Sequence, residues 1–154
     1  MQLSEDVPGG RRAAMAILAQ SDAAGIERGL ATAGCDAEFV DLRAPEIGLV
    51  MLRGRIGGNG APFNVGEATV TRAAVQLASG EQGFSYILGR DPKKARLAAL
   101  CDALWQADDS RDRIEQHVLA PLRVALEQRQ QHERARTAAT RVDFFTLVRG
   151  EDEQ

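Results

Sequence analysis

The sequence predicts an α+β fold, an antiparallel meander of four or more strands flanked by N-terminal and C-terminal helices. Three observations predict it. Helical periodicity occupies about residues 11–33, β-type sequence with short glycine-rich connections occupies about 37–89, and helical periodicity returns over about 92–135. The 154 residues read as a single domain, a length at which one core removes roughly two thirds of the unfolded surface from water.

Each element has its own local reason. After Gly9-Gly10, Ala14, Ile17 and Leu18 recur at helical spacing. Ser21 reads as the N-cap of a second helix, with Asp22 in its first turn, Ile26, Leu30 and Ala33 as its apolar stripe, and Gly34 at the left-handed C-terminal position. Both stripes are narrow and alanine-rich, so these helices need a partner surface. Ala37 to Arg43 alternates as a strand, Pro45 interrupts, and Ile47 to Ile56 reads as another strand. The continuous centre of that second strand, Leu49-Val50-Met51-Leu52, suits burial on both faces. The run Gly57-Gly58-Asn59-Gly60-Ala61-Pro62 forbids a regular element and forms a loop.

Glu67 to Leu77 follows as a long strand. Thr69, Thr71, Ala73, Val75 and Leu77 point one way, and Ala68, Val70, Arg72, Ala74 and Gln76 the other. Ser79-Gly80 turns the chain into Gly83 to Leu88. Asp91 is a good N-cap and Pro92 a good first helical residue, before Leu97, Leu100, Cys101 and Leu104 on one stripe. Ser110 caps another helix carrying Ile114 and Val118. Pro121 disfavours helical geometry at Ala120, which predicts a break or kink before Leu122, Ala125 and Leu126. Val142 to Val148 is β-rich and forms an extended C-terminal segment, about 140–150, before an acidic tail.

Composition excludes several function classes. Apolar residues are 44% and charged residues 27%, which is ordinary globular usage and argues against a disordered or disulfide-scaffold chain. The formal charge of −3 argues against DNA, RNA or an anionic membrane as partner, and aromatics at 5% argue against a base-stacking platform. No apolar run approaches the ~20 residues of a bilayer crossing, and Met1 to Arg12 has no secretory pattern, so a cytoplasmic location is expected. Cys35 and Cys101 read as reduced, buried thiols. His117 and His132 lack ligand spacing with them, so no metal site is expected.

No Ser/His/Asp or Cys/His set is visible, and no catalytic residue is assigned. Glu46, Glu67 and Asp91 flank the sheet and read first as capping, turn or ion-pair residues. The basic side chains are 17 Arg and 2 Lys, and Arg forks suit carboxylates and phosphates. Arg53, Arg55, Gly57, Gly58, Gly60, Arg72 and Arg90 therefore form a candidate anion-binding set, the alternative being a tight turn with solvated or acid-paired arginines. The loop lacks a GK[ST] ending and leads into strand-like sequence, so it is neither a P-loop nor a dinucleotide fingerprint. Phe144 and Phe145, between Arg141 and Arg149, form a candidate subunit interface, the alternative being a buried terminal strand. A soluble protein without a self-sufficient catalytic set, with an interface-like tail, is favoured as a subunit over a free-standing enzyme.

The stretches GLVMLRGRIGGNGAPFNVGEATVTRAAVQL, GFSYILGRDPKKARLAALCDAL, LAPL and RVDFFTLVRG, from about Gly48 to Gly150, resemble the PhnG family of phosphonate carbon–phosphorus lyase systems in order and spacing. The resemblance implies a subunit of a cytosolic core assembly with PhnH-, PhnI- and PhnJ-like partners, two copies of each, aided by an ABC-type accessory subunit. It implies that the assembly exchanges the adenine of ATP for an alkylphosphonate, giving α-D-ribose 1-alkylphosphonate 5-triphosphate. Nucleosidase chemistry is then expected in the PhnI-like partner and carbon–phosphorus cleavage in the radical iron–sulfur PhnJ-like partner. No cofactor is expected on this chain alone, ATP and phosphonate being substrates of the complex. A phosphate- or nucleotide-binding module using the glycine loop and nearby arginines is the alternative function.

Overall fold

The structure is a computed structural model, and it describes residues 7–140. Two helices, α1 (Val7–Gln20) and α2 (Ala23–Ala33), precede three strands, β1 (Phe39–Arg55), β2 (Pro62–Leu77) and β3 (Gln82–Leu88). Then come α3 (Pro92–Gln106), the short α4 (Arg111–Ile114), a π turn over Glu115–Leu119, and α5 (Ala120–Ala139). The strands form one antiparallel meander in the order β1-β2-β3. The class is the predicted α+β, but the sheet has three strands, not four or more. The C-terminal segment with Arg141, Phe144, Phe145 and Arg149 lies outside the described residues.

The strand count differs because Pro45 does not end a strand. β1 runs through it as one element of 17 residues. Register shifts between Asp41 and Arg43 and between Arg43 and Glu46 take up the extra residues. β1 is the edge strand, where a residue without an N–H removes no ladder bond if that group faces outward, and a bulge tolerates it equally. β2 is also longer than expected and begins at Pro62, directly after the glycine loop.

The helices cover one face of the sheet. Thr71, Ala73, Val75 and Leu77 of β2, with Ser85 and Ile87 of β3, are buried beneath them. This is the face alternation predicted for β2. Helix α3 lies directly on the sheet, and it is buried through Ala95, Ala98, Ala99, Cys101, Asp102, Ala103 and Leu104, while Leu97 and Leu100 are only partly buried. Of the predicted stripe, Cys101 and Leu104 are buried with the alanines at the centre of α3, and Leu97 and Leu100 form its flank. Small side chains let the helix backbone approach the strands closely. At Gly83 a Cβ would stand 1.9 Å from the Ala99 carbonyl oxygen and 2.6 Å from the Ala103 nitrogen.

Asp102 joins three elements at this contact. Its carboxylate accepts two 2.7 Å hydrogen bonds from Arg11 Nε and Nη2 of α1, and one of 2.8 Å from the Phe84 backbone N–H of β3. The fork pairs both carboxylate oxygens, which is the geometry that makes Arg–carboxylate pairs strong. Gln106 donates to the Gln82 carbonyl at 2.7 Å. Together these side chains of α3 take up backbone groups of β3, the far edge of the sheet.

The helix caps are partly as read. Asp91 accepts from the Lys94 N–H at 2.9 Å, with Pro92 opening α3. Asp22, not Ser21, is the N-cap of α2 and accepts from the Gly25 N–H at 2.5 Å. The Ser21 hydroxyl instead donates back to the Ile17 carbonyl at 2.8 Å and finishes α1. Ser110 likewise makes no capping bond and donates to the Leu104 carbonyl at 2.7 Å. Pro121 does not break the helix, since Ala120 keeps right-handed helical angles of φ −62° and ψ −49°. The π turn shifts the bonding pattern just before it, so the missing Pro121 N–H is absorbed. Gly29 of α2 packs against this turn, where a Cβ would lie 2.9 Å from the His117 carbonyl oxygen.

Two substitutions test this arrangement. Gly83→Ala places a methyl group into the α3 backbone and is expected to cost about 3 kcal/mol or more, read as a lowered denaturant midpoint. Arg11→Met leaves the Asp102 carboxylate, 1% exposed, without its cation. It is expected to cost about 2–3 kcal/mol, below the full buried-pair penalty because the Arg11 side chain is 35% exposed. A loss under about 1 kcal/mol would show that Asp102 does not depend on this pair.

Candidate functional site

Beyond the Val70–Leu88 pair, β2 has lost its β3 neighbour, and Pro62–Thr69 pairs only with Leu49–Arg55. These two stretches form a projecting two-stranded arm closed by the glycine loop. Gly57 and Gly58 have φ of 60° and 81°, which is why glycine stands there. Gly60 donates its N–H to the Ile56 carbonyl at 2.9 Å and accepts from Arg55 Nη1 at 3.1 Å. The backbone of the loop is thus closed on itself, with Arg55 as a strut.

The structure divides the predicted anion set. Arg53, Arg55, Gly57, Gly58 and Gly60 lie at the tip of the arm. Arg72 pairs with Glu46, and Glu46 is seven residues before Arg53 along β1, roughly 23 Å of strand. Arg90 follows Gly89, whose N–H binds the Thr69 carbonyl at the base of the arm. The four arginines therefore do not surround one loop.

Arg72 has other company. Glu46 accepts from Arg43 Nη1 and from Arg72 Nε, each at 2.5 Å, on the sheet face away from the helices. The Arg43 contact, then the Arg72 contact, hold the Glu46 carboxyl below the usual carboxylate range. Tyr86 first and Glu46 second raise the Arg72 guanidinium. Glu46 is thus an ion-pair residue. Asp91 is a cap, as read, and its own N–H binds the Thr71 hydroxyl at 3.0 Å. Burial pushes the Cys101 thiol up, away from thiolate chemistry.

Among the described residues, no group of three or more His, Cys, Asp or Glu is placed to hold a metal ion. No helix there is long and apolar enough to cross a membrane. A depression of about 740 Å³ is an open groove between the start of β1 and the end of β2, lined by Ala37, Phe39, Val40, Gln76 and Leu77 among others. Glu38 is its one ionisable side chain, so it brings no acid and base together. What the described surface does carry is apolar area. On the arm, Leu49, Met51, Leu52, Ile56, Phe63 and Val65 are all exposed. Sequence reading took Leu49 to Leu52 as a strand centre buried on both faces, and the isolated chain leaves Leu49, Met51 and Leu52 in water.

The family model for phosphonate metabolism protein PhnG matches residues 9–150. The chain belongs to the PhnG family. A PhnG relative from Rhizobium meliloti (strain 1021), described as alpha-D-ribose 1-methylphosphonate 5-triphosphate synthase subunit PhnG, is 54% identical over 116 residues. That match covers 75% of this chain and 73% of the relative. The arm lies wholly within the matched residues, so it belongs to the family's part of the molecule.

The Glu46 pairing has a pH signature. A carboxyl whose folded pKa is depressed adds stability above its unfolded pKa and loses it as pH falls through the folded value. Glu46→Gln is therefore expected to lower the denaturant midpoint slightly at pH 7 and not at all once the pH is well below the carboxylate range. An equal difference at both pH values would mean that charge pairing is not its contribution.

Proposed function

We propose that this chain is a required, non-catalytic subunit of an α-D-ribose 1-methylphosphonate 5-triphosphate synthase in phosphonate metabolism. The observation that carries this reading is its 54% identity to a curated subunit of that synthase, together with the family match over residues 9–150. The complex is a transferase that converts ATP and an alkylphosphonate to the ribose 1-alkylphosphonate 5-triphosphate and adenine. Both substrates belong to the assembly, and this chain by itself holds no cofactor. Its partners are PhnH-, PhnI- and PhnJ-like core subunits and an ABC-type accessory subunit, with two copies of this chain per complex, in the cytoplasm.

The physical support is consistent with a structural role. Glu46 and Arg72, whose ionisation is shifted, are engaged with each other and Cys101 is closed in the core, and the arginines that suggested a phosphate module are divided between arm tip, sheet face and arm base. The terminal run with Phe144 and Phe145 between Arg141 and Arg149 is proposed as one contact in the assembly.

Co-expression with the three core partners is expected to yield a stable complex on a tag carried by this chain, and deletion of its gene to abolish growth on methylphosphonate. A tagged chain that purifies alone, with growth intact in the deletion strain, would overturn the proposal. In the same co-purification, Phe144→Ala with Phe145→Ala is expected to lower partner recovery without an equal fall in thermal midpoint.

A further inference from the structure

The arm formed by Leu49–Arg55 and Pro62–Thr69 is an unfinished structure. A two-stranded ribbon by itself is marginal in water and needs a third strand or a packing surface. Its apolar side chains lie on both faces. Leu49 and Met51 alternate along β1 on one face, 61% and 58% exposed. Leu52 and Phe63, 45% and 44% exposed, share the other, since Phe63 pairs with Gly54 two residues after Leu52. Val65 joins them, its Cγ2 lying 2.6 Å from where a Gly54 Cβ would stand. With Ile56 in the loop, six large side chains present on the order of 600 Å² of apolar surface over the two faces and the tip together, close to one partner's share of a standard interface.

Charge narrows the choice of occupant. The stretch 47–67 carries Arg53, Arg55 and Glu67, so it is net basic in a chain of formal charge −3. Arg53 and Arg55 continue the Leu49–Met51 face toward the tip, and among the described residues neither has an ion-pair partner. A second copy of this chain pairing edge to edge on β1 would complete the ladder but leave both faces of the arm in water. A cleft covers both faces.

We propose that the arm inserts into a cleft of a different subunit of the same synthase, with two apolar walls and carboxylates facing Arg53 and Arg55. This rests on the subunit reading above, and it adds which surface makes the contact and what chemistry receives it. Burying apolar side chains on both sides of a basic-tipped ribbon gives affinity through area and orientation through charge.

The test uses the full-length chain co-expressed with the remaining core subunits. Leu49→Ser with Met51→Ser alters one face, and Leu52→Ser with Phe63→Ser the other. All four side chains are exposed, so the isolated variants are expected to keep the wild-type thermal midpoint. Each pair is expected to lower recovery of the complex by about ten-fold or more, whereas Val124→Ser, an exposed apolar position on α5, leaves it unchanged. Hydrogen exchange of amides 47–67 is expected to slow in the wild-type complex relative to the free chain. Failure of the wild-type chain to form the complex overturns the subunit reading itself. A wild-type complex that the arm variants also form, or that leaves amides 47–67 unprotected, overturns only the arm proposal. Light scattering that shows the isolated chain as a dimer, made monomeric by the arm variants, assigns the arm to a second copy and likewise overturns it.

Discussion

The Asp102 carboxylate is the point on which the rest of the structure depends. It stands on the buried side of α3, binds both nitrogens of the Arg11 fork, and accepts the Phe84 backbone N–H. One group thus fixes α1 to α3 and α3 to β3. A buried charge is tolerated only when it is paired and its lone pairs are taken up, and this one has three donors. The close approach of α3 to Gly83 belongs to the same contact, because the carboxylate reaches a strand backbone only if the helix lies against it. Alanines supply that proximity along the helix.

The two edges of the sheet are treated differently, and the difference is the functional content of the fold. On β3, Asp102 takes up the Phe84 N–H and Gln106 the Gln82 carbonyl. On β1, 17 residues run as an edge strand, and among the described residues no other strand pairs with its outer side. The far half of β1 leaves the helices altogether and carries apolar residues on both faces. A chain acting alone gains nothing from such an arm, since an open, apolar strand edge invites aggregation. In a subunit, the same surface is deferred packing. The core pairs the base of the arm through Gly89 and the Val70–Leu88 contact, and the arm is left to be completed elsewhere.

Much of the fold was legible in the sequence. Asp91-Pro92 marked the start of α3, Gly34 the end of α2, and Ser79-Gly80 the β2–β3 turn. The alternation of β2 placed Thr71, Ala73, Val75 and Leu77 under the helices. Pro45 and Pro121 misled for one reason. Local rules treat a missing N–H as a break, whereas an edge bulge and a π turn each supply a place where that N–H is not needed. Asp102 gave no local signal, since an acid among alanines in a helix reads as solvent-facing until a guanidinium and a strand are known to be nearby.

Leu49-Val50-Met51-Leu52 shows where sequence and tertiary structure part. Periodicity alone indicated a strand with apolar residues on both faces, and that was correct as chemistry. It also implied cover on both faces, and only the tertiary structure decided that the covering elements end short of it. The sequence by itself determined the α+β class, the antiparallel order, the β2–β3 turn, the Asp91 and Gly34 caps and the family. The tertiary structure decided the number of strands, the burial of Asp102, the dispersal of Arg53, Arg55, Arg72 and Arg90, and the exposure of the arm. The reason is that turns, caps and face alternation arise from forces within a few residues. Burial and the meeting of distant charges depend on which elements pack together, and for the arm on contacts the chain does not make with itself.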